Sequence, residues 1–200
     1  MLSNLGNILL FINVFLSVLI IYFASQNIKT SGNSISKTIY QTTLLQTTLI
    51  FGCFFTLVAA FITSDFSLIN VYENSHTSKP LLYKISGSWG NHEGSLLLWL
   101  LVLSVFLYIF LLKSRSQNIK YRLLTLLFQQ IIISGFLIFI LLTSNPFNTV
   151  FPIPSEGLGL NPILQDPALA IHPPILYFGY VGTSIIFSTS LAALIAGNIG

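Results

Sequence analysis

Charge is what this sequence has least of. Only 8 of its 200 residues are Lys or Arg and 5 are Asp or Glu, so charged side chains make up 6% of the chain, against roughly a quarter in a soluble domain. That shortage excludes an ordinary water-exposed surface. With 54% hydrophobic residues and a mean hydropathy of +0.83, the chain belongs in a membrane. The single thiol, Cys53, excludes an internal disulfide and any CxxC or CxxCH motif. A net charge of +3 spread over so few charged residues gives no basis for a nucleic-acid partner. Segments of about ten residues with alternating hydrophobicity, the mark of a transmembrane barrel, are absent. The first apolar run lacks a basic n-region and a small-residue cleavage site, and is too long for a signal peptide, so it is kept in the mature protein.

Long apolar runs are what remain. A spanning helix needs about 20 mainly apolar residues, and helices satisfy their backbone internally in lipid. Five spans are expected: Leu5 to Ser25, Thr42 to Thr63, Leu96 to Leu112, Leu123 to Thr143 and Pro173 to Gly197. The third is short and should extend into neighbouring polar residues. The fold class is therefore all-α: a polytopic helical membrane protein of about five transmembrane helices, one domain over residues 1–200.

The loops set the orientation. With the N-terminus outside, Lys29, Lys37, Lys113, Arg115, Lys120 and Arg122 lie inside, leaving Lys79 and Lys84 outside with all five acids. That satisfies the positive-inside rule. His76, His92 and His172 then share the outer side, on loops 64–95 and 144–172. The second loop, with Pro173 and Pro174 directly after it, contains seven of the eight prolines and no Lys or Arg. Its apolar residues, among them Phe147, Phe151, Ile153, Leu158, Leu160, Ile163 and Leu164, are expected to pack on the membrane surface or on a partner.

Two constellations carry the chemistry. In AIHPPILYFGYVG, residues 170–182, a histidine precedes two prolines and an aromatic run. Proline biases the preceding residue away from the helix and suits a first helical turn, so His172 is expected at the helix mouth. There the helix dipole disfavours imidazolium, and free amides suit an anion. Spacing alone favours an N-capping or interfacial role beside an aromatic belt; ligation of haem iron against Tyr177, Phe178 and Tyr180 stays open. In SGSWGNHEGSLLLW, residues 86–99, glycines surround His92 and Glu93, and Ser95 is the expected helix cap. Trp89 and Trp99 bracket the interface. One histidine and one carboxylate do not complete a metal site, so packing is favoured there. His76, in NSHTSK, reads as solvated.

WGNHEGSLLLW and NPILQDPALAIHPPILYFGYVG resemble the N-terminal region of the CcmF haem lyases, membrane proteins of cytochrome c maturation, and especially their split mitochondrial form. The resemblance implies haem b arriving as substrate from a haem chaperone and passing to apocytochrome c. It makes His172, the histidine of the HPP motif, an axial ligand of the haem iron, with Tyr177, Tyr180, Trp89 and His92 around the porphyrin and no catalytic side chain. Asn91 stands where the family often has glycine, implying a less permissive turn. The tryptophan-rich WGxWxxWD segment that follows the HPP helix in the family is missing, as is the histidine pair for an internal haem. A truncated chain, or a split protein completed by other haem lyase subunits, is therefore expected.

The implied role is a haem-binding and haem-orienting subunit of the cytochrome c haem lyase. The implied location is the mitochondrial inner membrane, with the bacterial inner membrane as the alternative. An ion-translocating or respiratory subunit would place ionisable residues within its spans, and none are there. An assembly scaffold that binds no haem is the remaining alternative.

Overall fold

The computed structural model describes residues 1–30, 35–159, 161–162 and 165–197; the expectations for Leu160, Ile163 and Leu164 lie outside them. Seven helices follow in order: α1 Leu2–Lys29, α2 Lys37–Ile62, α3 Ile69–Asn74, α4 Leu81–Gly87, α5 His92–Lys113, α6 Ile119–Thr143 and α7 Pro167–Ala196. Five of them (α1, α2, α5, α6 and α7) are long and apolar enough to cross a membrane. The five expected spans are all present; they begin three to six residues before their expected starts, and only α1 runs as much as a turn past its expected end.

Polar residues punctuate the helices where backbone N–H groups lack partners. Ser36 accepts from Ile39 N, and Asn118 from Lys120 N and Tyr121 N. Asn91 accepts from Gly94 N at 2.8 Å, so the cap of α5 is Asn91 and not Ser95. Ser95 donates instead to the carbonyl of Trp89 at 2.7 Å. At φ −129° Asn91 is in the extended region, which any residue adopts, so the turn needs no glycine there.

α1, α2, α5, α6 and α7 pack side by side, α6 touching α1, α5 and α7. Since lipid is as apolar as leucine, such packing rests on close fit and hydrogen bonds rather than on water exclusion. Phe147 illustrates the fit: it is fully buried, with its ring seated on Gly6, where a Cβ would overlap it. The hydrogen bonds are supplied by uncharged side chains. Gln130 donates to Ser17 Oγ at 2.8 Å and to Gln46 Oε1 at 3.0 Å, and Gln46 donates to the carbonyl of Asn13 at 3.3 Å. Gln129 bridges to α7 through Ser184 and Ser188.

The two ends of the bundle differ. At one end, α3, α4 and residues 144–159 form a cap. The 64–95 region thus has two short helices of its own, which no apolar run in the sequence signals. Backbone bonds run from Ile69 N to Asn148 O, Val150 N to Ser67 O and Leu158 N to Tyr72 O. The proline-rich segment therefore packs largely on the other cap segment; Phe151, Ile153 and Leu158 remain exposed. The N-terminus is at this end, where Ser3 Oγ donates to the carbonyl of Phe147 at 2.8 Å. At the opposite, basic end, Arg122 is buried within the first turn of α6 and not in a loop. Its guanidinium donates to Ser114 Oγ, to the carbonyl of Leu111 and to Tyr40 Oη, satisfying acceptors where the carbonyl end of α5 favours a cation.

Candidate functional site at the capped end

The sequence expectation for His172 is corrected in its local structure. α7 begins five residues earlier, at Pro167, and Asp166 is its N-cap, accepting from Ala168 N at 2.8 Å and Leu169 N at 3.1 Å. The proline suited to the first turn is Pro167, and the amides expected beside the imidazole are taken by the Asp166 carboxylate. His172 stands in the second turn, and Pro173 and Pro174 are inside the helix.

Interior prolines leave carbonyls four residues back without their helical donors. For Pro174 that carbonyl belongs to Ala170, which is buried. Trp89 Nε1 supplies the missing donor at 2.9 Å, and its ring lies nearly parallel to Phe54, centroids 6.3 Å apart. Trp89 thus fastens the start of α7 to the cap two residues before His172.

His172 itself is exposed. Below it at helical spacing come Ile175, Leu176 and Gly179, all exposed, with open space where a Cβ of Gly179 would be. Tyr177 and Tyr180 turn to a different neighbour, Trp99 of α5, with ring centroids at 5.6 Å and 5.8 Å. Beside them a cleft of about 270 Å³ opens between α5, α6 and α7, walled among others by Trp99, Phe136, Tyr180 and Phe187; His172 is not one of its walls. His92, the first residue of α5, is exposed and shares a 3.1 Å hydrogen bond with Ser144 Oγ. Among the described residues no hydrogen bond or ring contact joins it to His172, and no three His, Cys, Asp or Glu side chains stand together to hold a bare metal ion.

Around His92 the turn is fixed. The side chain of Asn70, on α3 and buried, donates to Asn91 Oδ1 at 2.9 Å and Glu93 Oε2 at 3.0 Å. Gly94 faces the Ser88 carbonyl so closely that a Cβ would overlap it. Here the glycine permits the close approach of two backbone segments. His76 is partly exposed, in keeping with the solvated reading, and stands 3.9 Å from Glu156 with its Nδ1 against Ser78. Glu156 also accepts from Thr77 Oγ1 at 2.5 Å and from Thr77 N and Gly157 N at 3.0 Å. The Thr77 hydroxyl and then the Gly157 amide, ahead of Thr77 N and His76, hold its carboxyl down to about 2. Burial lowers Lys79 to about 8.

Two participants were missed by sequence reasoning. Trp99 was read only as an interface residue, although its place among leucines could have suggested a packing centre. Asn70 carries no sequence signal at all, because its partners are more than twenty residues away.

A bundle of five membrane-length helices, with both long connections folded into one cap, defines a polytopic α-helical membrane protein. Residues 89–198 match the family described as Cytochrome C assembly protein, and the chain belongs to that family. It is 55% identical over 146 residues to the cytochrome c-type biogenesis protein CycK of Rhizobium meliloti, covering 73% of this chain and 22% of that one. To CcmF of Escherichia coli it is 44% identical over 74% of the chain and 23% of the relative. To CcmF of Haemophilus influenzae it is 37% identical along its whole length, which is 31% of that protein. The solved structure named Cytochrome c Heme Lyase CcmF superposes with a TM-score of 0.80 at 23% identity, over 98% of this chain and 31% of that one. The resemblance to CcmF-type proteins holds, and the chain spans less than a third of the length of these relatives.

Proposed function

We propose that this chain is the N-terminal membrane part of a cytochrome c haem lyase, and that His172 ligates the iron of substrate haem at the outer membrane face. The observation carrying the proposal is the position of His172: exposed, on a helix fastened two residues earlier by Trp89, and heading an uncovered apolar stripe of Ile175, Leu176 and Gly179. Haem iron takes an axial ligand, often an imidazole, and the porphyrin an apolar face; both are available there. The chain's work is positioning. The vinyl groups that form the thioethers belong to the haem, and the thiols belong to apocytochrome c.

Its proposed partners are a haem chaperone, apocytochrome c and other haem lyase subunits. Tyr177 and Tyr180 hold the upper part of α7 against Trp99, and Trp89 sets its start; both contribute through α7 rather than by touching iron. His92 supports the cap through Ser144. Placing the capped end outside follows from the six cations at the opposite end. The membrane is an inner membrane crossed several times. The named relatives are bacterial, which supports the bacterial alternative; the mitochondrial expectation then rests on the likeness to the split form alone.

The polar side chains between the helices, Gln46, Gln129 and Gln130, are uncharged, which counts against ion translocation. The test is to purify the assembled complex with wild-type, His172→Ala or His172→Gly chain and compare haem spectra. Loss of the outer haem signal, restored by imidazole only in the glycine variant, is expected. An unchanged spectrum in both variants refutes ligation and favours the scaffold.

A further inference from the structure

The basic end contains a pocket unrelated to the capped end. Its volume is about 360 Å³, and its walls are Phe110, Lys113, Ser114, Gln117, Tyr121 and Ala193, drawn from the end of α5, the following turn, the start of α6 and the end of α7. We propose that this pocket binds the phosphate-bearing headgroup of an anionic phospholipid.

The donors lining it are unspent. Ser114 Oγ accepts from Arg122 Nε at 3.0 Å and among the described residues makes no other hydrogen bond, so its own hydrogen remains for a ligand although the residue is buried. Among the described residues the ammonium group of Lys113 and the side-chain amide of Gln117 have no protein partner, and the one ion pair, His76 with Glu156, is at the capped end. All five acids, Asp65, Glu73, Glu93, Glu156 and Asp166, are at the capped end as well. Among the described residues no acidic side chain stands at this end, and Arg122 adds a buried positive charge behind Ser114. The carbonyl ends of α5 and α7 face this pocket and favour a cation, so the donors it offers an anion are the ammonium of Lys113, the hydroxyl of Ser114 and the amide of Gln117.

A lipid fits better than a soluble anion because the rest of the site is greasy. Phe110 and Ala193 form its apolar walls, and Leu112 and Leu194, next to wall residues in sequence, are exposed, so acyl chains would meet apolar helix surface. Basic pockets between membrane helices at the cytoplasmic side recognise headgroups in this way.

The test reconstitutes the assembled complex in phosphatidylcholine vesicles with or without phosphatidylglycerol, then measures the lipid that stays bound after mild detergent extraction. Phosphatidylglycerol should be retained in preference to phosphatidylcholine. Lys113→Gln should weaken that retention about fivefold, the effect of one cation near an anionic surface, and Lys113→Arg should preserve it. Lys84→Gln, at the capped end, should leave it unchanged. Equal retention of both lipids, or an equal loss in Lys84→Gln and Lys113→Gln, overturns the proposal. So does inorganic phosphate alone shielding Lys113 from amine-reactive reagent as well as the vesicles do, since the site would then belong to a soluble anion.

Discussion

Trp89 Nε1 donates to the carbonyl of Ala170 at 2.9 Å, the acceptor that Pro174 deprives of its helical donor. A proline pair inside a helix is tolerated when a neighbouring element satisfies the freed backbone. Here the element is the glycine-rich turn before α5. The two motifs that look separate in sequence are therefore one structural unit, with His172 beside the joint.

Trp89→Phe keeps a ring to stack on Phe54 and removes only the donor. Leaving the buried Ala170 carbonyl unpaired should cost about 1–2 kcal/mol, read as a lower unfolding midpoint in detergent. Trp89→Ala should cost more, because the ring contact goes as well. A midpoint unchanged in Trp89→Phe would show that the hydrogen bond does not hold α7.

The Glu156 carboxyl is held at about 2, below its usual 4.5, first by the Thr77 hydroxyl and then by the Gly157 amide. A depressed carboxylate contributes stability that is complete above the unfolded value and is lost as pH falls through the folded one. The docking of the 144–159 segment on α3 should therefore hold from neutral pH to about 4.5 and loosen as pH approaches about 2. Thr77→Val removes the largest of these causes, so loosening should begin at higher pH. Amide exchange across residues 144–159 at stepped pH measures this; coincident profiles for wild type and Thr77→Val would refute it.

The spans were legible because lipid forces the code: a run of about twenty apolar residues has few other uses. Their ends were less so. Lys37, Glu93 and Arg122 lie within helices that begin before the apolar runs, and hydropathy stops where charge begins. The start of α7 was misjudged for a different reason. The bias of a residue before proline away from the helix was applied to His172, whereas Asp166 and Pro167 form the real cap and first turn. A contact 81 residues away, from Trp89, helps the later prolines remain helical, and no local rule contains it. The exposure of His172 and the grouping of Tyr177 and Tyr180 on Trp99 likewise needed the fold.

Glycines at two helical positions should answer differently to alanine. A Cβ at Gly94 would overlap the Ser88 carbonyl, a backbone atom with little freedom to move, whereas at Gly135 it meets open space. Gly94→Ala should destabilise by about 1–3 kcal/mol through overpacking. Gly135→Ala should gain about 0.5–1 kcal/mol from reduced backbone freedom. Thermal unfolding of both variants decides it, and equal midpoints would contradict the close approach at Gly94.

Gln130 joins three helices. Its amide donates to Ser17 Oγ on α1 and Gln46 Oε1 on α2. Ser134 Oγ spends its hydrogen on the Gln130 carbonyl at 2.7 Å, so Ser17 must be the donor in its 2.5 Å contact with Ser134. Gln130→Leu breaks this circuit and strands Gln46 Oε1, so it should cost about 1 kcal/mol, within the range found for hydrogen bonds between membrane helices. The double variant Gln46→Leu, Gln130→Leu removes donor and acceptor together, and replacing both partners costs less than stranding one. Its loss should therefore fall short of the sum of the two single losses by roughly 0.5–1.5 kcal/mol. A double-mutant cycle on unfolding free energies in bicelles measures that difference. Strict additivity would mean that the two amides, although 3.0 Å apart, do not support each other.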